Sequence, residues 1–219
     1  MRITKKLAEL CGIIVGDGCI TYYKKNGDYK VEIFGDYKEL EYHSYIKTLF
    51  KEIFNKEPKT KLNKDGISLC LHSKEVLDKL IGLGIPIGKK KDVIRIPPKI
   101  MSNKGLTKCF IRGLADTDFS VCFKKGGRIK NSYPRITVEM HSKKLIKDIK
   151  LSLESLGITC YYYERTRNTP FGIFQSYSLD INGNKKFEKW MRLIGFKNKK
   201  HLSKIEFWKK NGYYQKNCS

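Results

Sequence analysis

Cys109-Phe-Ile-Arg-Gly-Leu-Ala-Asp-Thr-Asp-Phe119 has an earlier counterpart in Leu10-Cys-Gly-Ile-Ile-Val-Gly-Asp-Gly18, and the pair decides how the chain is read. Gly12 and Gly113 are 101 residues apart, and so are Asp17 and Asp118. Each segment ends a helical approach (Ile3 to Ile14; Leu106 to Ala115). After Asp17 come Cys19 to Lys24, the turn Lys25-Asn-Gly-Asp28 and the alternating run Tyr29 to Phe34. Asn-Gly between two such runs is a strong hairpin signal. After Asp118 come Ser120 to Lys125, Gly126-Gly127 and Tyr133 to Met140.

The parallel continues outward. Both halves have a long helical pattern (Lys38 to Phe54; Ser142 to Leu156) and then a second hairpin. The first runs Lys59–Leu62 and Ile67–Leu71 about Asn63-Lys-Asp-Gly66; the second runs Cys160–Glu164 and Ile173–Ile181 about Asn168-Thr-Pro170. A shorter helix closes each half (Lys74 to Leu83; Lys185 to Ile194). The repeat predicts an α+β fold, αββαββα twice over, related by a pseudo-twofold axis. The halves are 1–92, with a linker starting near 86, and 99–219, with an extra C-terminal helix near 201–209.

Composition restricts function. The 219 residues carry 45 Lys plus Arg against 22 Asp plus Glu, a formal charge of +23. The hydrophobic fraction, 40%, is too high for a disordered basic tail. No apolar run approaches the roughly 20 residues of a membrane span. A folded protein with this cationic excess repels itself unless a polyanion is its partner, and nucleic acid fits best. The seven cysteines lack zinc spacing and an even count, so a reducing compartment is expected, cytoplasmic and nucleoid-associated, with an organelle as the alternative.

Glycine inside a helix costs about 0.8–1 kcal/mol relative to alanine. Gly12 and Gly16, four apart, share a helix face, as do Gly113 and Thr117, so a close helix–helix interface through these four is expected. Asp17 and Asp118 then fall at helix carboxyl ends, where the macrodipole disfavours anions, and near each other. Two carboxylates so placed in a cationic protein are best explained by a divalent metal. The opposing reading is an ordinary Asp-Gly turn, which the in-register repetition disfavours.

These residues carry a resemblance. Leu10–Gly18 and Ile111–Phe119 resemble the paired motifs of the LAGLIDADG homing endonucleases in their monomeric, two-motif form, and Gly84-Ile-Pro-Ile-Gly-Lys-Lys90 is similar to archaeal and intein-associated members. The resemblance implies two saddle-shaped antiparallel sheets packed through a central two-helix interface. It implies Mg²⁺-dependent hydrolysis of both strands of double-stranded DNA at a long asymmetric site, with Mn²⁺ as a substitute, by a protein associated with an intron or intein. The metal ligands fall on Asp17 and Asp118, with the Gly16 and Thr117 backbone beside them. His141 is a further catalytic candidate. Phe119 stands where the family has a closing glycine, and is expected to alter the turn and weaken that site. The family's polar positions after the second strand of each half fall on Gly35-Asp36 and Met140-His141. The alternatives are an RNA maturase with intron RNA as partner, or a catalytically silent DNA-binding protein.

Strand alternation assigns faces. Ile20, Val31, Ile33, Ile67, Leu69, Val121, Phe123, Ile136 and Val138 should face the helices. Thr21, Tyr23, Lys30, Glu32, Lys61, Ser68, Lys124, Arg135, Thr137 and Glu139 should face DNA, where a β-ribbon fits the major groove. Lys24, Lys25, Arg128, Arg165 and Arg167 read as phosphate contacts.

Overall fold

The structure is a computed structural model, described for residues 2–23, 27–64, 66–88, 93–125, 132–170 and 172–214. Lys24, Lys25, Arg128 and the predicted Gly126-Gly127 turn lie outside these residues.

Thr4 opens the first helix, α1 (Lys5–Asp17), its hydroxyl accepting from Leu7 N. Strands β1 (Gly18–Tyr23) and β2 (Asp28–Gly35) follow, then a 3₁₀ turn (Tyr37–Glu39) capped by Asp36, and helix α2 (Leu40–Phe54). β3 (Lys59–Asn63), β4 (Gly66–His72) and α3 (Lys74–Gly82) complete the first half. A short helix α4 (Pro98–Met101) leads to α5 (Lys104–Asp118), capped by Asn103. The second half repeats the order: β5 (Ser120–Lys125), β6 (Ser132–Met140), α6 (Lys143–Ser155), β7 (Tyr161–Thr169), β8 (Gly172–Asn182), α7 (Asn184–Leu193) and finally α8 (Lys199–Asn211). The sheets are antiparallel with matching orders, β1-β2-β4-β3 and β5-β6-β8-β7.

Register fixes the faces. Ile20 pairs with Val31 and Ile33 with Leu69; Val121 pairs with Ile136 and Val138 with Leu179. All of these are buried with the helices, and Phe123 packs at the edge of the same core. Period-two alternation therefore puts the predicted polar set together on the opposite face of each sheet.

Residues 94–100 of the linker are packed rather than loose. Ile94, Ile96 and Ile100 are buried, and Asp148 of α6 accepts from Arg95 (3.1 Å) and from Ile96 N (3.1 Å). At the far end α8 lies back on the second sheet, where Trp208 stacks on Phe123 and donates its indole N–H to Ser132 O at 2.7 Å.

Candidate active site and nucleic-acid face

The site is built on the packing of α1 against α5, the most extensive contact between any two elements among the described residues. The reason is the glycines. A Cβ on Gly12 would lie 2.0 Å from Phe110 O, and one on Gly113 2.1 Å from Glu9 O. Backbone touches backbone at both points, so no side chain fits there. A Cβ on Gly16 would meet Thr117 Oγ1 at 2.0 Å and Asp118 Oδ2 at 2.5 Å. The four predicted interface residues therefore all lie in this contact, and the Asp118 carboxylate lies over Gly16, the residue before Asp17.

One level further from the sheets, a polar cluster locks the helix pair in register. Glu9, almost fully buried, accepts from Tyr45 Oη (2.8 Å) and from Arg112 Nε (3.1 Å), and Arg112 Nη2 closes the bidentate pair. Removing one partner of such a pair would leave a buried charge uncompensated.

Asp17 and Asp118 are the last residues of α1 and α5, and no basic side chain lies in the last turn of either helix. Each helix leaves into a strand through an extended residue. Gly18 has φ −93° and ψ 162°; Phe119 has φ −84° and ψ 157°. The expected change of turn at Phe119 is not seen, since both junctions are extended backbone with negative φ; they differ in room, for a Cβ on Gly18 would lie 2.6 Å from Ile14 Cα. Phe119 is buried, with its ring 5.7 Å from that of Trp190. The family's glycine is replaced by a core anchor, not by a strained turn.

Around the Asp118 end lies a groove of about 360 Å³, lined in part by Gly16, Asp118, Glu139, Met140 and His141. His141 thus shares a groove with Asp118, and Gln175 O lies 2.9 Å from its Nδ1. On the other half Gly35 carries no side chain because His43 covers it; a Cβ there would lie 2.2 Å from His43 Cε1. Asp36 is spent on capping the 3₁₀ turn, accepting from Lys38 N at 2.9 Å.

The carbonyl of Thr117 holds a cation of the chain's own. Lys200 Nζ of α8 donates to it at 3.0 Å and lies 3.0 Å from Glu39 Oε1. The neighbouring Asn198 side chain donates to Glu39 Oε1 (2.8 Å) and to Asp116 O (3.1 Å). Asp116 is buried; its Oδ1 accepts from Lys197 N and Asn198 N, and its Oδ2 has no hydrogen-bond partner among the described residues. Burial pushes its carboxyl up to about 7 against those two backbone hydrogen bonds. Sequence reasoning missed Glu9, Glu39, Arg112, Asp116, Asn198 and Lys200. The one signal available was an acid, Asp116, on the apolar side of a helical run.

Whether the residues fit a divalent metal turns on the donor set. Among the described residues no group of three or more His, Cys, Asp or Glu could hold a metal ion. Two carboxylates at abutting helix ends are nevertheless hard oxygen donors of the type Mg²⁺ uses, since it takes one or two carboxylates and completes its shell with water and phosphate. The carbonyl that accepts Lys200 marks the same place as one that takes positive charge.

On the outer sheet faces the predicted residues are ordered by ion pairs. Lys30 Nζ meets Glu32 Oε2 at 2.7 Å, and Ser68 donates to Glu32 Oε1 at 3.1 Å. Burial raises the Glu32 carboxyl, but hydrogen bonds from Lys30 and Ser68 outweigh it and hold the carboxyl below its ordinary value. Arg165 and Arg167 both reach Glu139 at 3.3 Å. Thr21 pairs with Lys30, Tyr23 with Asp28 and Lys61 with Ser68, while Lys124 stands at the exposed end of β5.

Comparison with known proteins agrees with this architecture. Residues 107–195 match the family described as LAGLIDADG-like domain. A mesophilic variant of the homing endonuclease I-DmoI superposes with a TM-score of 0.63 at 17% identity, covering 87% of this chain and 95% of that one. The homing endonuclease I-WcaI, bound to its DNA recognition sequence, gives 0.56 at 16% identity, over 89% of this chain and 82% of that one. At such identities the likeness is one of fold. I-DmoI has been solved in complex with DNA and Ca and with DNA and Mn, and a variant of it with its target DNA in the presence of Mg. The second half of the chain thus matches a LAGLIDADG-like domain, and the chain as a whole shares the fold of these homing endonucleases. It is also 26% identical over 211 residues to the glutamine–fructose-6-phosphate aminotransferase of Methanocaldococcus jannaschii, and the aligned region spans only 17% of that much longer protein.

Proposed function

We propose that the protein is a site-specific endonuclease that hydrolyses both strands of double-stranded DNA with a divalent metal, Mg²⁺ or Mn²⁺, and acts as a monomer. The observation that carries this reading is the convergence of Asp17 and Asp118 at the abutting ends of α1 and α5, between two sheets whose outer faces carry cations. The DNA complexes of I-DmoI and I-WcaI support the choice of partner. The match to a short part of a much longer protein supports an element carried within a host coding sequence.

In this reading Asp17 and Asp118 hold the metal, with the Gly16 carbonyl beside them. When bound, the metal supplies an activated water and stabilises charge on the scissile phosphate. The chain's own groups do the rest. The glycine contacts fix the separation of the two carboxylates. Lys200 supplies positive charge at the Thr117 carbonyl and His141 a polar ring in the groove beside Asp118, both around the end of α5. The sheet faces orient the duplex and exclude water over the groove.

The experiment is a cleavage screen on a randomised duplex library with Mg²⁺ or EDTA, followed by sequencing of the ends. Discrete Mg²⁺-dependent double-strand ends are expected. Asp17→Asn and Asp118→Asn are each expected to abolish double-strand cleavage and keep DNA affinity; full cleavage by either variant would refute the metal assignment. Enrichment of bound duplex without cut ends would favour a silent DNA-binding protein, and preferential binding of structured RNA a maturase.

A further inference from the structure

Asp180 stands in β8, on the outer face of the second sheet, and is almost fully buried there. It lies opposite Thr137 on one side and Tyr161 on the other. Its Oδ1 accepts from Thr137 Oγ1 at 2.7 Å and from Arg135 Nη2 at 2.7 Å, and the same nitrogen lies 2.6 Å from Oδ2. Arg135 is itself largely covered.

The first sheet carries the same device built from other residues. By register Lys30 is the counterpart of Arg135, since each lies on the second strand of its sheet and pairs with the residue three positions after Gly18 or Phe119, Thr21 or Cys122. Lys30 is held by Glu32, which Ser68 also bonds. The acid has moved from the second strand to the fourth and the hydroxyl from the fourth to the second, yet both sheets hold a cation against a carboxylate at the same position of the second strand. Two halves with so little sequence in common would not keep this arrangement for solvation alone.

Such a cation differs from one that seeks phosphate. A free surface arginine neutralises whichever phosphate is near and adds to sequence-independent binding. An arginine whose charge is largely compensated and whose guanidinium is tied down adds little to that binding. It presents its remaining N–H groups in one orientation, as base-edge recognition requires. The nearly buried acid also penalises any approach by phosphate.

We propose that Asp180 is a specificity-determining residue: it fixes Arg135 against the sheet as a base reader and suppresses its use as a phosphate contact. The assignment rests on the DNA-binding reading above. Asp180 touches no base; it acts through Arg135.

The test is selection of duplexes from a randomised library by the full chain in Ca²⁺, which permits binding without requiring turnover, comparing wild type with Asp180→Asn. The asparagine keeps the shape and the Thr137 contact and removes the charge. Wild type is expected to show a preferred base pair that Arg135→Met erases. Asp180→Asn should weaken that same preference by about 5- to 150-fold, the range set by one bidentate contact of about 1–3 kcal/mol. It should also bind random duplex more tightly, with a steeper salt dependence. The double variant Arg135→Met/Asp180→Leu removes both charges, so its folding does not depend on the pair; it should lose the preference and keep the wild-type salt slope. A base profile and salt slope for Asp180→Asn equal to wild type, with only stability changed, would overturn the assignment and leave the DNA reading intact. A wild type with no sequence preference at any position would overturn the site-specific reading, and the assignment with it.

Discussion

Replacing Gly113 by alanine sets two opposed effects against each other, and the sign of the result depends on the interface. Helix propensity alone favours alanine by about 0.8–1 kcal/mol. The new Cβ, however, would lie 2.1 Å from Glu9 O and 3.0 Å from Glu9 C, both backbone atoms. No rotamer change relieves that contact, so α1 and α5 must part by more than about 1 Å to restore ordinary separation. Overpacking of this type costs about 1–3 kcal/mol, and a backbone collision at the centre of the longest helix contact belongs at or above the upper end. A net loss of about 2 kcal/mol is expected, which for a chain of this length lowers Tm by about 4–8 °C. Gly82 supplies the control. It is the exposed last residue of α3, and a Cβ added there would meet nothing within 4 Å, so Gly82→Ala should raise Tm slightly. Thermal unfolding followed by circular dichroism reads both. A Gly113→Ala protein as stable as Gly82→Ala, or more so, would refute the close-packed interface.

Two further outcomes follow from buried groups. Phe119→Gly removes a buried ring packed on Trp190 and gains nothing at the turn, so it should cost about 3–5 kcal/mol in urea unfolding; an unchanged midpoint would contradict the anchoring role. His201 is buried against Phe196, and burial followed by the charges of Lys200 and Lys204 pushes its pKa down to about 3. The unfolded chain takes up this proton below about pH 6.5 and the folded chain does not, so the contribution is complete above pH 6.5 and is lost as pH falls toward 3. The loss is about 2 kcal/mol by pH 5. His201→Phe should flatten that part of the pH–stability curve; an equal fall in both proteins between pH 7 and 5 would exclude the histidine.

The repeat was legible because close helix packing leaves a mark in local sequence. Gly12 and Gly113, the acids after them and the alternation of Ile20, Val31, Ile136 and Val138 are all visible within short windows. The electrostatic supports were not. Lys200 reaches Thr117, and Asn198 reaches Asp116 and Glu39, across separations of 83, 82 and 159 positions that carry no periodic signal. Asp180 sits where alternation assigns an ordinary polar face, and only pairing of β8 with β6 reveals that it is enclosed. Phe119 was hard to read for a related reason: Gly18 and Phe119 share their backbone angles, and only the packing around each, invisible in a short window, decides which has room for a side chain.

The hairpins of the two sheets differ in reach. β3 and β4 have 5 and 7 residues, β7 and β8 have 9 and 11. The additional residues, about four on each strand, extend the second ribbon by about 13 Å, at about 3.3 Å per residue. Laid along a duplex, that is close to about four base pairs, at about 3.4 Å per step. The protein would then be a ruler with a short arm and a long arm hinged at the acids. A sequence would be inspected more deeply on one flank than on the other, and the point of scission would fall off the midpoint of the recognised stretch. Such a ruler has a direction: the two orientations of the protein on one duplex are not equivalent, and only one would bring both arms into register.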